Sequence, residues 1–373
     1  MSLAQHVLTL LQFTRAALVF TAWSNFLAAA LLSRATGGAA VAGWGTLVLG
    51  LVCSASLYAF GMALNDLVDR RRDALLAATR PLPSGRLALS SAHLVVAALG
   101  TTGLTCGLLF AWRVGDVGSA AFVLMTLALI NLYNFVGKYL VSAGLITLGL
   151  VRLAHAAIAS PDLPVVWHPL WLFTHIAVVA SVAYVWEEKR PRMTPLHSAV
   201  VAGSVAAVNV GVVTAVLARK LPRVTDGTDP ATAVLSVLAF FPRADAVASG
   251  ATGGLLGPVI ASFLFAAVAW RIGRQIGDAR ARSADDTSLS PPLRERRRAA
   301  GRQLMLAGLL WLIVYDAAFV LGYVGWREAL LVLMLLPLAY GAVRLMRAAS
   351  GLSQLRKPLE FRLPSAPSHP ENP

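Results

Sequence analysis

Long apolar stretches separated by short polar ones fill this chain. Ten are read, at about 16–33, 42–64, 92–112, 119–136, 139–159, 168–186, 197–217, 252–270, 303–323 and 328–346, and each has 18 residues or more. A helix of that length crosses roughly 30 Å of hydrocarbon. Backbone polar groups inside a bilayer must be satisfied within the segment, which favours helices. A β-barrel would show short alternating segments instead. The pattern therefore predicts an all-α integral membrane protein with one transmembrane helical domain over 1–348. Residues 349–373, ending in "RLPSAPSHPENP", are polar and Pro-rich and read as a disordered cytoplasmic tail. A shorter apolar piece, "ATAVLSVLAFFP", lies within 218–251 and is expected at the membrane interface.

Composition agrees with the pattern. The chain is 57% hydrophobic and 13% charged, against about 25% charged for soluble domains. Cys53 and Cys106 both fall in apolar runs and read as small hydrophobes. The first apolar run is too long for a cleavable signal, and Arg15 leads into it as an anchor would. The net charge of +14 raises the question of nucleic acid, but no nucleic-acid-binding motif accompanies it. The basic residues instead set orientation. Arg70, Arg71, Arg72, Arg80 and Arg86, then Lys138, then Lys189, Arg190 and Arg192, then Arg274 to Arg302, fall in alternate loops. The positive-inside bias puts those loops, the N-terminus and the tail in the cytoplasm, with a bacterial inner membrane as the expected location. Arg219, Lys220, Arg223 and Arg243 fit poorly, since the same alternation places them outside.

One stretch concentrates charge. The sixteen residues from Asn65 to Arg80 hold three aspartates and four arginines, directly after an apolar run. If that helix continues past Leu64, Asn65, Asp69 and Asp73 fall at i, i+4 and i+8, with Asp66 three before Asp69, so all four share a face. Oxygen ligands without Cys or His suit a hard cation such as Mg²⁺, whose coordination substrate phosphates often complete. Arg80 then opens "RPLPSG", a stiff turn carrying a planar fork for phosphate oxygens. The physical reading is a Mg²⁺–diphosphate site at the cytoplasmic mouth of a helical bundle. Asn65, Asp66, Asp69 and Asp73 would be the metal set. The alternative is a solvated loop whose arginines only fix topology.

"NDLVDRRRD" followed by "RPLPSG" resembles the first aspartate-rich motif, NDxxDxxxD, of the UbiA superfamily of intramembrane prenyltransferases. The resemblance implies about nine transmembrane helices around a central cavity. It also implies Mg²⁺-dependent binding of an isoprenyl diphosphate and transfer of its prenyl group to an acceptor, here unidentified. Asp66, Asp69 and Lys138 would be catalytic, and Arg80 a diphosphate contact. "LYNFVGKYL" is similar to the fourth-helix segment in which the family carries a Tyr and a Lys, here Tyr133 and Lys138. Arg152 stands where members often carry an arginine. The family's second aspartate-rich motif is altered: "YVWEEKRPRM" offers Glu187 and Glu188, then Lys189 and Arg190. That pattern is most similar to the UbiA-like branch found in bacterial Ebo clusters.

Other candidates keep two readings. Glu187 and Glu188 either take the second motif's catalytic place or cap a helix end, and Lys189 and Arg190 would act as phosphate cations. Lys138 either pairs a phosphate or snorkels to headgroups. Arg152 either reaches the diphosphate or pairs within the bundle. Asp316 reads as a buried pair holding helices together. Asn25 is expected on the cavity wall or as helix glue, with Tyr133 and Phe135 as aromatic walls for a developing allylic cation. His155 and His175 read as satisfied core histidines. Trp23, Trp112, Trp167 and Trp326 read as an interfacial belt. Three functions remain: prenyl transfer, binding or movement of a prenylated or lipid-linked molecule by a degenerate relative, and secondary transport. The motif's place at a helix end counts against transport.

Overall fold

A computed structural model describes residues 2–37, 41, 43–220, 251, 253–281 and 291–355. The apolar piece within 218–251 that was expected at the interface, and most of the tail after 349, lie outside them.

The described residues are helical, with no strand among them. A short helix, α1 (Leu3–Phe13), precedes the first apolar stretch. Ser2 caps it in a reciprocal box with Gln5, which satisfies two otherwise free backbone donors. Then come α2 (Val19–Ala35), α3 (Trp44–Val68), α4 (Arg70–Leu76), α5 (Leu89–Val114), α6 (Val117–Phe135), α7 (Val141–Ala157), α8 (Trp167–Trp186) and α9 (Pro195–Lys220). α10 (Leu256–Ala281), α11 (Pro291–Tyr323), α12 (Trp326–Leu333) and α13 (Leu335–Leu355) complete the described helices. Among the described residues, nine helices are long and apolar enough to cross a membrane. All ten expected stretches are found as helices. The tenth to be accounted for, α7, has 17 residues and falls just below that length. One span combines α12 and α13, which are continuous from Trp326 to Ala349.

Seven helices close a ring through neighbouring pairs: α2 with α3, α3 with α5, α5 with α6, α6 with α7, α7 with α8, α8 with α11, and α11 back to α2. α9 packs outside on α7 and α8, α10 on α11, and α13 on α2. The ring is tight where small residues allow it. A Cβ on Gly149 of α7 would lie 2.8 Å from the Phe173 carbonyl oxygen on α8, so only glycine lets those backbones approach this closely. One cluster of the core packs Phe13, Phe26, Cys53, Leu57, Phe110 and Val123 between α2, α3, α5 and α6. Outward faces carry large apolar side chains, including Trp44, Trp112 and Trp326, as lipid contact requires. Trp23 is different: its indole donates to the Leu51 carbonyl at 3.0 Å, so it ties α2 to α3.

Two ion pairs support the alternation of the loops. Arg219 at the end of α9 meets Asp162 between α7 and α8 at 2.8 Å. Arg297 at the start of α11 meets Glu188 after α8 at 3.4 Å. The first pair also neutralises one of the basic residues that fitted the expected outer face poorly.

Candidate functional site

The site begins where α3 ends. Asp69 follows α3 with φ −81° and ψ 3°, and α4 starts at the next residue. The break is shallow, because Asp69 N–H still donates to the Asn65 carbonyl at 2.9 Å and Asp73 N–H to the Asp69 carbonyl at 2.8 Å. Asn65, Asp69 and Asp73 therefore keep the one-turn spacing expected of them. Gly85, at φ +71°, closes the following turn without strain. The Leu87 N–H bonds back to Pro81, and Arg80 is folded onto the acids.

Each aspartate meets a base from a different part of the chain. Arg80 Nη1 reaches Asp73 at 2.5 Å and Asp66 at 3.4 Å. Arg15 Nη2 reaches Asp66 at 2.9 Å. Lys138 Nζ reaches Asp69 at 2.7 Å. Asp66 and Asp73 are buried. Burial pushes the Asp73 carboxyl above its ordinary value, against the pull of Arg80. Tyr133 stands close enough to feel the charges of Asp69, Arg15 and Arg72. Arg72 is exposed.

Arg15 was read from the sequence only as an anchor. Its backbone, at φ +49°, turns the chain between α1 and the first span, and its side chain then points at the motif. The available signal was its position, at the same end of the bundle as the motif. Arg86 steadies the mouth from the other side by donating to Gln12 of α1 at 2.7 Å and to the Thr79 carbonyl at 2.8 Å.

Several expected residues lie elsewhere. Arg152 is not on the acids. Its guanidinium donates to Asn25 Oδ1 at 3.1 Å and Thr21 Oγ1 at 3.3 Å, deeper in the ring. Asn25, expected on a cavity wall, is fully enclosed and donates to Asp316 Oδ2 at 2.6 Å. Asp316 also meets His168 Nε2 at 2.8 Å. It is the buried helix-joining group it was expected to be, because a carboxylate inside a bundle needs such partners. Phe135 is 56% exposed and faces out of the bundle, so Tyr133 alone of that aromatic pair is near the acids. His175 is satisfied by the Gly308 carbonyl at 3.0 Å. His155 is buried against the Ser54 backbone. Glu187 pairs with Lys189 at 3.2 Å, and Glu188, at φ +52°, pairs with Arg297. Among the described contacts neither glutamate joins the Asn65–Asp73 segment, and Arg190 is exposed.

The donor set can be tested against a metal. Among the described residues, no three His, Cys, Asp or Glu side chains stand close enough together to hold one as they are. The chemistry of the set nevertheless fits a hard divalent ion: carboxylate and amide oxygens, one turn apart, at the polar end of a helix. The carboxylates now face bases that phosphate oxygens would equally suit.

Fold and site define the class: an all-helical integral membrane protein with an acid cluster, held by bases, at one end of its ring. The chain belongs to the UbiA prenyltransferase family, which it matches over residues 17–287. No curated protein matches it. Among solved structures it is similar to one from work on digeranylgeranylglyceryl phosphate synthase in membranes, at 15% identity over 85% of this chain and 98% of that one, with a TM-score of 0.48. It is also similar to a UbiA homolog from Archaeoglobus fulgidus bound to GPP and Mg²⁺, at 16% identity over 82% of this chain and 99% of that one, with a TM-score of 0.43.

Proposed function

We propose that the protein is a Mg²⁺-dependent prenyltransferase that moves an isoprenyl group from its diphosphate to an acceptor, with the mouth in the cytoplasm. One observation carries this reading. Three aspartates of a single segment are held by Arg15, Arg80 and Lys138, bases from three other places in the chain. A membrane protein gains little from gathering six charges at one helix end unless they serve a highly charged ligand.

Asn65, Asp66, Asp69 and Asp73 would hold the metal. What Mg²⁺ supplies when bound is neutralisation of diphosphate charge. The chain's own residues do the rest. Arg15 and Arg80 leave their carboxylates and fork onto phosphate oxygens, and Lys138 adds a point charge. As the allylic carbon–oxygen bond breaks, its electron pair leaves with the diphosphate, and those cations stabilise the oxygen that receives it. The face of Tyr133 shelters the positive charge left on carbon. Apolar helix faces keep water away from that carbon.

A second reading keeps binding without turnover, and the pairs around Glu187 and Glu188 favour it. Glu187 pairs with Lys189 and Glu188 with Arg297, and among the described contacts neither joins the Asn65–Asp73 segment. This altered region also supports placing the chain near the UbiA-like branch of Ebo clusters. In the enzyme reading, either Glu187 and Glu188 or the cations Lys189 and Arg190 take over that role. Replacing Asp66 or Asp69 with Ala tests the shared claim: Mg²⁺-dependent binding of geranyl diphosphate should vanish while the melting temperature holds. Binding indifferent to either change and to chelator would remove both readings. Replacing Glu187 and Glu188 together with Gln separates them. Turnover that falls far more than affinity supports catalysis through the glutamates, and turnover at the wild-type rate assigns the role to Lys189 and Arg190. A wild type without turnover leaves the binder.

A further inference from the structure

The outward face of α1 is apolar. Leu3, Val7, Leu10 and Leu11 fall at i, i+4, i+7 and i+8, so they share one side of the helix, and all four are exposed. Thr9 and Phe13, on the opposite side, are buried where α1 packs on α3 and α13. A helix resting on a water-covered surface would be patterned the other way round, with polar side chains outward. The exposed polar side chains Gln5 and His6 are turned to Ser2, with which both bond.

What covers the stripe follows from the chain. Only Thr14 and Arg15 separate α1 from the first span, which begins at Ala16. α1 is therefore tethered at the edge of the hydrocarbon. α13 belongs to a span itself and turns Leu338, Tyr340 and Leu345 outward, so the stripe adjoins a surface that already faces lipid. α1 carries no Lys, Arg, Asp or Glu. Its apolar area, and not attraction to anionic headgroups, is what would seat it.

The same helix is joined to the mouth. Gln12 accepts from Arg86 at 2.7 Å. Arg15, two residues past the end of α1, reaches Asp66 at 2.9 Å. It does so from a left-handed backbone at φ +49°, which a residue other than glycine keeps only when its surroundings enforce it.

We propose that α1 is a membrane-surface helix. Its stripe of Leu3, Val7, Leu10 and Leu11 seats in the upper acyl chains of the leaflet on the motif side, and this seating holds Arg15 on Asp66. The lipid contact stands by itself, and its effect on the mouth rests on the diphosphate-binding reading. Arg15 is then a residue whose place at the site is set by the bilayer.

The experiment uses the full chain in phosphatidylcholine nanodiscs, with Cys53 and Cys106 replaced and one environment-sensitive fluorophore on a cysteine at residue 7, 10 or 79. A nitroxide placed high on the acyl chains should quench residues 7 and 10 about twofold or more above residue 79 on the polar turn, and aqueous acrylamide should do the reverse. Acrylamide quenching of 7 and 10 equal to that of 79 would put the stripe in water. Quenching by neither agent would mean that a second copy or another protein covers it. Either result overturns the proposal. For the coupling, Val7→Asp sets a charge on the stripe and should weaken Mg²⁺-dependent geranyl diphosphate binding roughly fivefold or more, as Arg15 loses its hold, while Val7→Leu stays within about twofold. Made in an Arg15→Ala chain, Val7→Asp should change affinity by less than about twofold, since the two act as one unit. An unchanged affinity for Val7→Asp, or the same loss in both backgrounds, overturns the coupling. A wild type that binds no geranyl diphosphate overturns the reading of the mouth, and the coupling with it, while the quenching still decides the lipid contact.

Discussion

Arg80 shows what a single side chain contributes to the mouth. One of its nitrogens spans Asp66 and Asp73, seven residues apart. A planar guanidinium can face two partners and later two phosphate oxygens, whereas an ammonium on a flexible stem acts as one point. Arg80→Lys keeps the charge and loses the fork. It should weaken Mg²⁺-dependent isoprenyl diphosphate binding about tenfold, or about 1.4 kcal/mol. Isothermal titration would show this, and unchanged affinity would mean that Arg80 serves only the resting structure. At this scale the sequence was informative where spacing fixes geometry. Arg80 meets Asp66 and Asp73, and Lys138 meets Asp69, at the segment where the pattern concentrates charge. It was silent where a side chain has a choice of partners. Arg152 and Asn25 turned to each other because a charge far from water takes whatever polar neighbour it has, and no spacing rule names that neighbour.

Helices were legible because each apolar stretch is long. Their ends were less so. α11 begins at Pro291, twelve residues before the apolar run read at 303, because its Arg-rich start is helical beyond the hydrocarbon. α1 was not anticipated: eleven amphipathic residues carry no spanning signal. The left-handed turn at Arg15, which aims that residue at Asp66, depends on how α1 packs. Close helix contacts were also invisible, since a glycine in an apolar run says nothing about its neighbour. Gly149 sets the approach of α7, the helix that follows Lys138 and carries Arg152, to α8. Gly149→Ala would push a methyl group against the Phe173 backbone, which cannot move aside as a side chain can. The change should cost about 1–3 kcal/mol of stability, read as a lower melting temperature. A variant as stable as the wild type would mean that α7 and α8 have room to separate.

Across the whole molecule, the fold brings Arg15, Arg80 and Lys138 together at the motif end of the ring. Ten alternating crossings, as the sequence pattern predicts, would put Thr79 and Arg296 on the motif side and Asp162 on the other. Single cysteines there, in a chain with Cys53 and Cys106 replaced, should label accordingly: the first two from the cytoplasm, the third from outside. Opposite labelling of residues 79 and 296 would break the ring order. The paired charges at the mouth carry one more consequence, for how two ligands sense each other. A divalent ion arriving alone must strip Arg15, Arg80 and Lys138 of their carboxylates and leave those bases without partners. A diphosphate arriving alone must strand the carboxylates instead. Arriving together, each supplies what the other displaces, so their affinities are thermodynamically linked. Reciprocity then requires Mg²⁺ to tighten an isoprenyl diphosphate by the same factor as the diphosphate tightens Mg²⁺, within the roughly 5–150-fold range of such couplings. Titrations in both orders should return one coupling factor well above unity. Such a gate would let neither abundant free Mg²⁺ nor a stray phosphate compound hold the mouth by itself.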